Sequence, residues 1–217
     1  MKKWNKGLAI ASIMAVLSVP FAGAAAAETI QGYVVSSHPI EEGSTLPKEH
    51  VTSQGIIESG DGHRFVLRGQ QYLNINVHDN TVIVNDKGQP VSKDVLKEGA
   101  VVEVQYGPVM MMSFPGTVGA EKIVVKGETA VKTGKVLKVT NTEGEVNARI
   151  HVDVEADGNI NNDVILNVTK DTFITDKQGV VLKASELKEG QQVKVFHSLV
   201  MTFSLPGQSH ASLIIAE

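Results

Sequence analysis

Leu96-Lys97-Glu98-Gly99-Ala100-Val101-Val102-Glu103-Val104 returns as Leu187-Lys188-Glu189-Gly190-Gln191-Gln192-Val193-Lys194-Val195. The match runs on without a gap to Ile123 and Ile214, at the constant offset that separates Leu96 from Leu187. Inside it, Val109-Met110-Met111-Met112-Ser113-Phe114-Pro115-Gly116 lies over Val200-Met201-Thr202-Phe203-Ser204-Leu205-Pro206-Gly207. The chain is a duplication, and the fold follows from reading one copy twice.

Each copy is written in short strands. Leu73, Ile75 and Val77 alternate with Asn74 and Asn76, as do Ile150, Val152 and Val154 with His151 and Asp153, the period-2 pattern of half-buried strands. Turns fall at Ser59-Gly60-Asp61-Gly62, Asp86-Lys87-Gly88, Asn141-Thr142-Glu143-Gly144 and Asp176 to Gly179. A helical turn fits Lys93 to Lys97 and Ala184 to Lys188, each stopped by a glycine. Thr81 to Val84 continues the third strand after a kink at His78-Asp79-Asn80.

The order is β-β-β-α-β-β, that of a small OB-like barrel. The expectation is an all-β fold of two tandem five-stranded OB-like barrels, each with one short helical turn. Leu96 and Leu187 would plug the barrel bottoms and the following valines would enter the cores. A single two-sheet sandwich built from both copies is the alternative. The offset between the copies is smaller at Gly55 and Gly134 than at Leu96 and Leu187, which places a 12-residue extension in the first hairpin of the second copy.

Domain boundaries follow: a signal peptide at 1–27, an arm or linker at 28–50, repeat 1 at 51–128 and repeat 2 at 129–217. Lys2, Lys3 and Lys6 precede an apolar run from Gly7 to Val19, and Ala25-Ala26-Ala27 forms a small-residue cleavage site, so the mature chain is expected to start near Glu28. There is no cysteine, hence no disulfide framework and no lipid anchor on a cysteine. No later segment is apolar for long enough to span a bilayer as a helix. The net charge of -4 becomes more negative once the leader lysines are removed, which argues against nucleic acid as a partner. The only tryptophan, Trp4, lies in the leader, so a sugar-binding face built on Trp platforms is excluded from the mature chain.

Candidate chemistry is sparse. Met111, Phe114 and Pro115, with Phe203, Leu205 and Pro206 in the second copy, form loops presenting apolar side chains before a Pro-Gly turn, a surface suited to a protein or cell-wall ligand. The simpler reading is a structural turn between the fourth and fifth strands. A copper site from His197, Met201 and His210 is the metal alternative, since thioether and imidazole suit Cu(I). Its counterparts in the first copy are Tyr106, Met110 and Gly119, so it is not duplicated. Alternation along a strand makes Met110 and Met201 core residues and turns Met111 and Thr202 outward. Asp157 to Asp163 spaces oxygen ligands as a Ca²⁺ loop does but lacks the bidentate glutamate, and a hairpin turn explains it more simply.

No catalytic residues are singled out. There is no cysteine nucleophile, no G-x-S-x-G elbow, no S-x-x-K pair and no phosphate loop. About a third of the positions are identical between 73–126 and 164–217, and Gly, Pro, Val and Ile dominate them. Among His, Asp, Glu and Ser only Glu98 with Glu189 and Ser113 with Ser204 match, and no His or Asp does. A shared scaffold reads this way; a shared catalytic set does not.

The segment Val164-Ile165-Leu166-Asn167-Val168, then Asp171-Thr172-Phe173-Ile174-Thr175-Asp176, then Leu187 to Ser209, resembles an uncharacterised duplicated β-rich module of secreted Gram-positive bacterial proteins, sometimes found beside copper amine oxidase N-terminal-like domains. There the loop tends to read Ser-Pro-Ala-Met-Thr-x-Ser-x-Pro-Pro-Gln. Here Leu199-Val200 replaces Pro-Ala and Gly207 replaces the second Pro, while the first copy keeps Pro108 but has Met111 for Thr and Thr117 for Gln. The resemblance implies module type and an extracellular or cell-wall location, and brings no catalytic residue. The functional expectation is a secreted, non-catalytic binding or structural module of the cell envelope or extracellular matrix. An extracellular inhibitor or chaperone of a secreted enzyme, a copper-binding protein and a hydrolase with paired acids are the alternatives, in that order.

Overall fold

The computed structural model describes residues 49–217. The expected leader at 1–27, and all of the arm except Glu49 and His50, lie outside the described residues. His50 Nδ1 sits 2.8 Å from Glu121 Oε2 at the start of the first strand.

The described chain is all-β. Strands β1 (Val51–Gly60), β2 (Arg64–Gly69), β3 (Tyr72–Asn85), β4 (Ala100–Tyr106) and β5 (Gly116–Glu128) close a barrel in the order β1-β2-β3-β5-β4. Strands β6 (Ala130–Asn141), β7 (Ala148–Val154), β8 (Val164–Val168), β9 (Phe173–Asp176), β10 (Gln192–Met201) and β11 (Gly207–Ala216) form a six-stranded sheet ordered β10-β6-β7-β8-β11-β9, in which β10 also pairs with β11. The five-strand barrel is thus met in repeat 1, while repeat 2 has a sixth strand. Repeat 1 closes on itself and each copy fills its own core, so one sandwich shared by both copies is not what forms. The expected helical turns are single 3-10 turns, Lys93–Val95 and Ala184–Glu186.

The extra strand has a local cause. In both copies a threonine hydroxyl takes over where the strand kinks. Thr81 Oγ1 accepts from His78 N at 3.0 Å and donates to Ala120 O at 2.8 Å. Thr172 Oγ1 accepts from Thr169 N at 3.0 Å and donates to Ala211 O at 2.7 Å. Beyond the kink, Val82–Asn85 and Phe173–Asp176 resume parallel pairing with the last strand of their copy. The kink stays within one strand in β3 and separates β8 from β9 in repeat 2.

Register corrects the position of the 12-residue extension. Gly55 and Gly134 are equivalent, since they pair with Val102 and Val193. Gly55 also pairs with Gly69, and Gly134 with Val154. Leu67 pairs with Leu73, and Val152 with Val164. The offset therefore grows in two equal steps, one in each of the first two hairpins. The second step places residues 155–163 between β7 and β8, where repeat 1 has only Gln70 and Gln71.

Two cores result. Leu96, Val102, Val104 and Ile123 are buried in the first, and Leu187, Val193, Val195 and Ile214 in the second. Gly99 (φ +86°) and Gly190 (φ +80°) make the turn after each leucine in the left-handed region, which explains the repeated Leu-Lys-Glu-Gly. A third cluster joins the copies: Ile56 of β1 packs with Phe196, Leu213 and Ile215, flanked by Val101, Val131 and Phe173. Only Thr129 separates β5 from β6, and its backbone N–H and hydroxyl both donate to Gly99 O, at 2.9 and 2.8 Å. Lys194 forms an ion pair with Glu98 across the same junction.

Candidate functional site

The two repeated loops are built alike. Met111 N donates to Thr117 O and Thr202 N donates to Gln208 O, both at 2.9 Å, closing each loop at its base. Ser113 Oγ donates to Pro115 O at 2.7 Å and Ser204 Oγ to Pro206 O at 2.8 Å, so the repeated serine braces the Pro-Gly turn. Both prolines follow cis peptide bonds. The repeated methionine has a similar structural role. A Cβ on Gly116 would lie 2.7 Å from Met110 Sδ, and one on Gly207 would lie 2.6 Å from Met201 Cε. Met110 and Met201 are therefore laid over glycines rather than buried in the cores, being 48% and 42% exposed. That corrects the expectation of core methionines: Met110 lies outside the strands and Met201 is the last residue of β10, where the pairing has already shifted, so strand alternation does not bury either.

Around these braces large apolar side chains are exposed. Val109, Met111, Met112 and Phe114 are so in repeat 1, and in repeat 2 Leu199 and Val200 at the end of β10, with Phe203 and Leu205 on the loop. Phe114 meets the Tyr72 ring edge-on, with centroids 5.8 Å apart. Phe203 is fully exposed. Pro115 and Pro206 are half-buried beneath them. Of the six residues expected at a binding loop, Met111, Phe114, Phe203 and Leu205 face solvent, and the two prolines shape the backbone that presents them.

The residues of the copper alternative separate. His197 and Met201 line one cleft, of about 380 Å³. His210 is exposed and lines a different depression with Glu145, Asn147, Lys170 and Asp171. Among the described residues no group of three or more His, Asp or Glu is placed to hold a metal ion. In the Asp157 to Asp163 run, Asp157 accepts from Asn159 N and Asn162 Nδ2, and Asn159 Oδ1 accepts from Asn161 N and Nδ2. These oxygens hold the turn to itself.

The cleft holding His197 is the chemically distinctive place. One wall is the 155–163 segment that repeat 1 lacks, and the other is the Met201–Gly207 loop. His197 is 2% exposed and Asp163 5%. His197 Nδ1 lies 2.9 Å from Ser198 O, and a carbonyl can only accept, so Nδ1 carries the proton and Nε2 presents a lone pair. Burial, helped by the Lys132 ammonium, pushes the His197 imidazole below its ordinary range against the opposing pull of Ser198 O. Asp163 Oδ2 accepts from His151 Nε2 at 2.7 Å. Among the described residues, His197 Nε2 and Asp163 Oδ1 are two of the four buried side-chain polar atoms without a hydrogen-bond partner.

In the sequence Asp163 is marked only as the end of the Asp157 to Asp163 run. Its signal lies in the overlay of the copies: Asp163 stands where repeat 1 has Tyr72, and His197 where it has Tyr106. In repeat 1 those tyrosines are satisfied, Tyr106 by Gln71 Oε1 at 2.7 Å and Tyr72 by Arg68 Nη2 at 3.2 Å. Two large side chains with partners became two smaller ones, each with a free acceptor. No protein-family model matches the chain, and no curated protein matches it either.

Proposed function

We propose that the chain is an exported, non-catalytic binding module of the cell envelope or extracellular matrix. In this reading it is built from two OB-like barrels that engage a protein partner through their apolar loop tips. The observation that supports it is the matched pair of loops, each braced by a serine and a closing backbone bond and each exposing bulky apolar side chains. Large apolar groups grouped on rigid loops mark interaction surfaces, because leaving them in water is unfavourable and ordering them has already been achieved. Phe114, Phe203 and Leu205 are the anchors in this reading. Their loops vary between the copies in the anchor residues and agree in the bracing residues, which fits one scaffold with two different contact surfaces. No described helix is long and apolar enough to cross a membrane.

The test is capture from the wall and supernatant fractions of the source cells with the wild-type chain and with Phe114→Ala/Phe203→Ala/Leu205→Ala. A protein retained by the first and lost by the folded triple variant supports the reading. Equal retention by both refutes it. Export is checked separately by sequencing the N-terminus of the mature chain, expected near Glu28.

A further inference from the structure

The cleft between residues 155–163 and the Met201–Gly207 loop shares Leu205 with the apolar tip of repeat 2 but has a polar chemistry of its own. Asp163 and His197 both line it, and each carries a buried acceptor without a partner, Oδ1 and Nε2. Leaving such atoms unpaired away from water costs on the order of 1–3 kcal/mol each. A ligand that donated to both would recover that cost on binding. We propose that this cleft binds a neutral polyhydroxylated ligand, a saccharide or related polyol, through Asp163 Oδ1 and His197 Nε2 as paired hydrogen-bond acceptors.

Four ligand classes compete, and the lining decides among them. An anion would face Asp163 and Glu155. A simple cation would face the Lys132 ammonium, which is close enough to act on His197. A metal ion lacks a converging set of His and carboxylate ligands among the described residues. A purely apolar molecule would bury the two acceptors without relief. Hydroxyl groups fit every polar contact, because each both donates and accepts. They donate to Asp163 and His197, and they accept from Lys132 Nζ, which also lines the cleft. Val154, Val164 and Leu205 supply apolar wall for the C–H faces of a ring. The volume of about 380 Å³ falls in the range of small-molecule sites.

His151 is a positioning residue here. By donating to Asp163 Oδ2 it fixes the carboxylate and leaves Oδ1 as the free acceptor. The site is confined to repeat 2, since its residues are those in which the copies differ. Tyr72, Tyr106 and the short Gln70-Gln71 connection replace them in repeat 1.

The test uses the full chain and four probes: glycerol, glucose, N-acetylglucosamine and its β-1,4 disaccharide. Binding is read by amide chemical-shift changes and calorimetry. At least one saccharide is expected to saturate, with shifts centred on 155–163 and 197–207. Asp163→Asn should weaken it tenfold or more. Asp163→Asn also disturbs the His151 pair, so exposed Lys132→Met provides a second variant that keeps the fold, with an expected loss of severalfold. Phe114→Ala should leave saccharide binding unchanged, which separates this site from the protein-binding tips. Absence of saturable binding by all four probes overturns the proposal. So does saturation of the same residues by Cu(I) or Zn²⁺ alone, which would make the cleft a metal site.

Discussion

Arg68 holds its guanidinium carbon 4.0 Å from the centre of the Tyr72 ring and from there reaches into the other repeat. Its Nη1 donates to Asp176 O at 2.8 Å and to Thr175 Oγ1 at 3.2 Å, and its Nη2 donates to Lys177 O at 2.7 Å. Nε binds Glu58 Oε2 at 2.5 Å. Arg68 pairs across the sheet with Ile56, whose side chain belongs to the apolar cluster between the copies. The outer face of β1 and β2 is thus the docking face for repeat 2, with an apolar half and a charged half.

Arg68→Ala should destabilise the protein by about 3–5 kcal/mol, because it strands the partly buried Glu58 carboxylate and two carbonyls of the other repeat. Arg68→Lys should recover only part of this, since an ammonium cannot make the planar fork or the ring stacking. Equilibrium denaturation in urea measures both. A loss under 1 kcal/mol for Arg68→Ala would mean that the polar half contributes little to docking.

Gly134→Ala should destabilise by about 1–3 kcal/mol or more, since the added methyl would collide with Asp153 O on the paired strand. Gly144→Ala, in an open turn at φ +106°, meets no neighbour and should cost only the strain of a left-handed alanine, about 1 kcal/mol. Thermal melts of the two variants side by side give the difference between a close approach and a backbone preference.

Phe203→Ala should leave stability within about 0.5 kcal/mol, as its side chain is fully exposed. Phe114→Ala should cost slightly more, about 0.5–1.5 kcal/mol, because its ring meets Tyr72. Both variants remain folded, which is what makes them usable in the capture experiment. A cooperative loss of structure in either would show that the tips are part of the scaffold.

Stability should fall as pH drops below the ordinary histidine value of 6.5, in a manner traceable to His197. Burial holds its folded pKa below that of the unfolded chain, so in acid the unfolded state binds the proton first. The contribution is fully present above about pH 6.5 and is lost as pH falls toward the lowered folded value. Lys132, Asp163 and Glu155 share its cleft, and the first of these reinforces the shift. His197→Tyr, which installs the residue of repeat 1, should flatten this part of the pH profile. An unchanged slope in urea midpoints between pH 7 and 5 would assign it to another group.

The sequence by itself determined the duplication, the all-β class and the apolar positions of the strands that fill the cores. These rest on local signals: period-2 alternation, glycines at positive φ after Leu96 and Leu187, and prolines at the loop tips. The repeated Thr81 and Thr172, and Ser113 and Ser204, were visible as matches but had no meaning until their carbonyl partners were in place. Tertiary structure alone decided that Arg68 is buried, that Met110 and Met201 lie over glycines outside the cores, that His210 parts from His197, and that Asp163 joins it. The reason is physical. An apolar side chain needs only to leave water, so its fate follows from periodicity, whereas a polar side chain's fate depends on which atom ends up opposite it. For Arg68 that atom is more than a hundred residues away, on a turn whose approach is set by the packing of one repeat against the other.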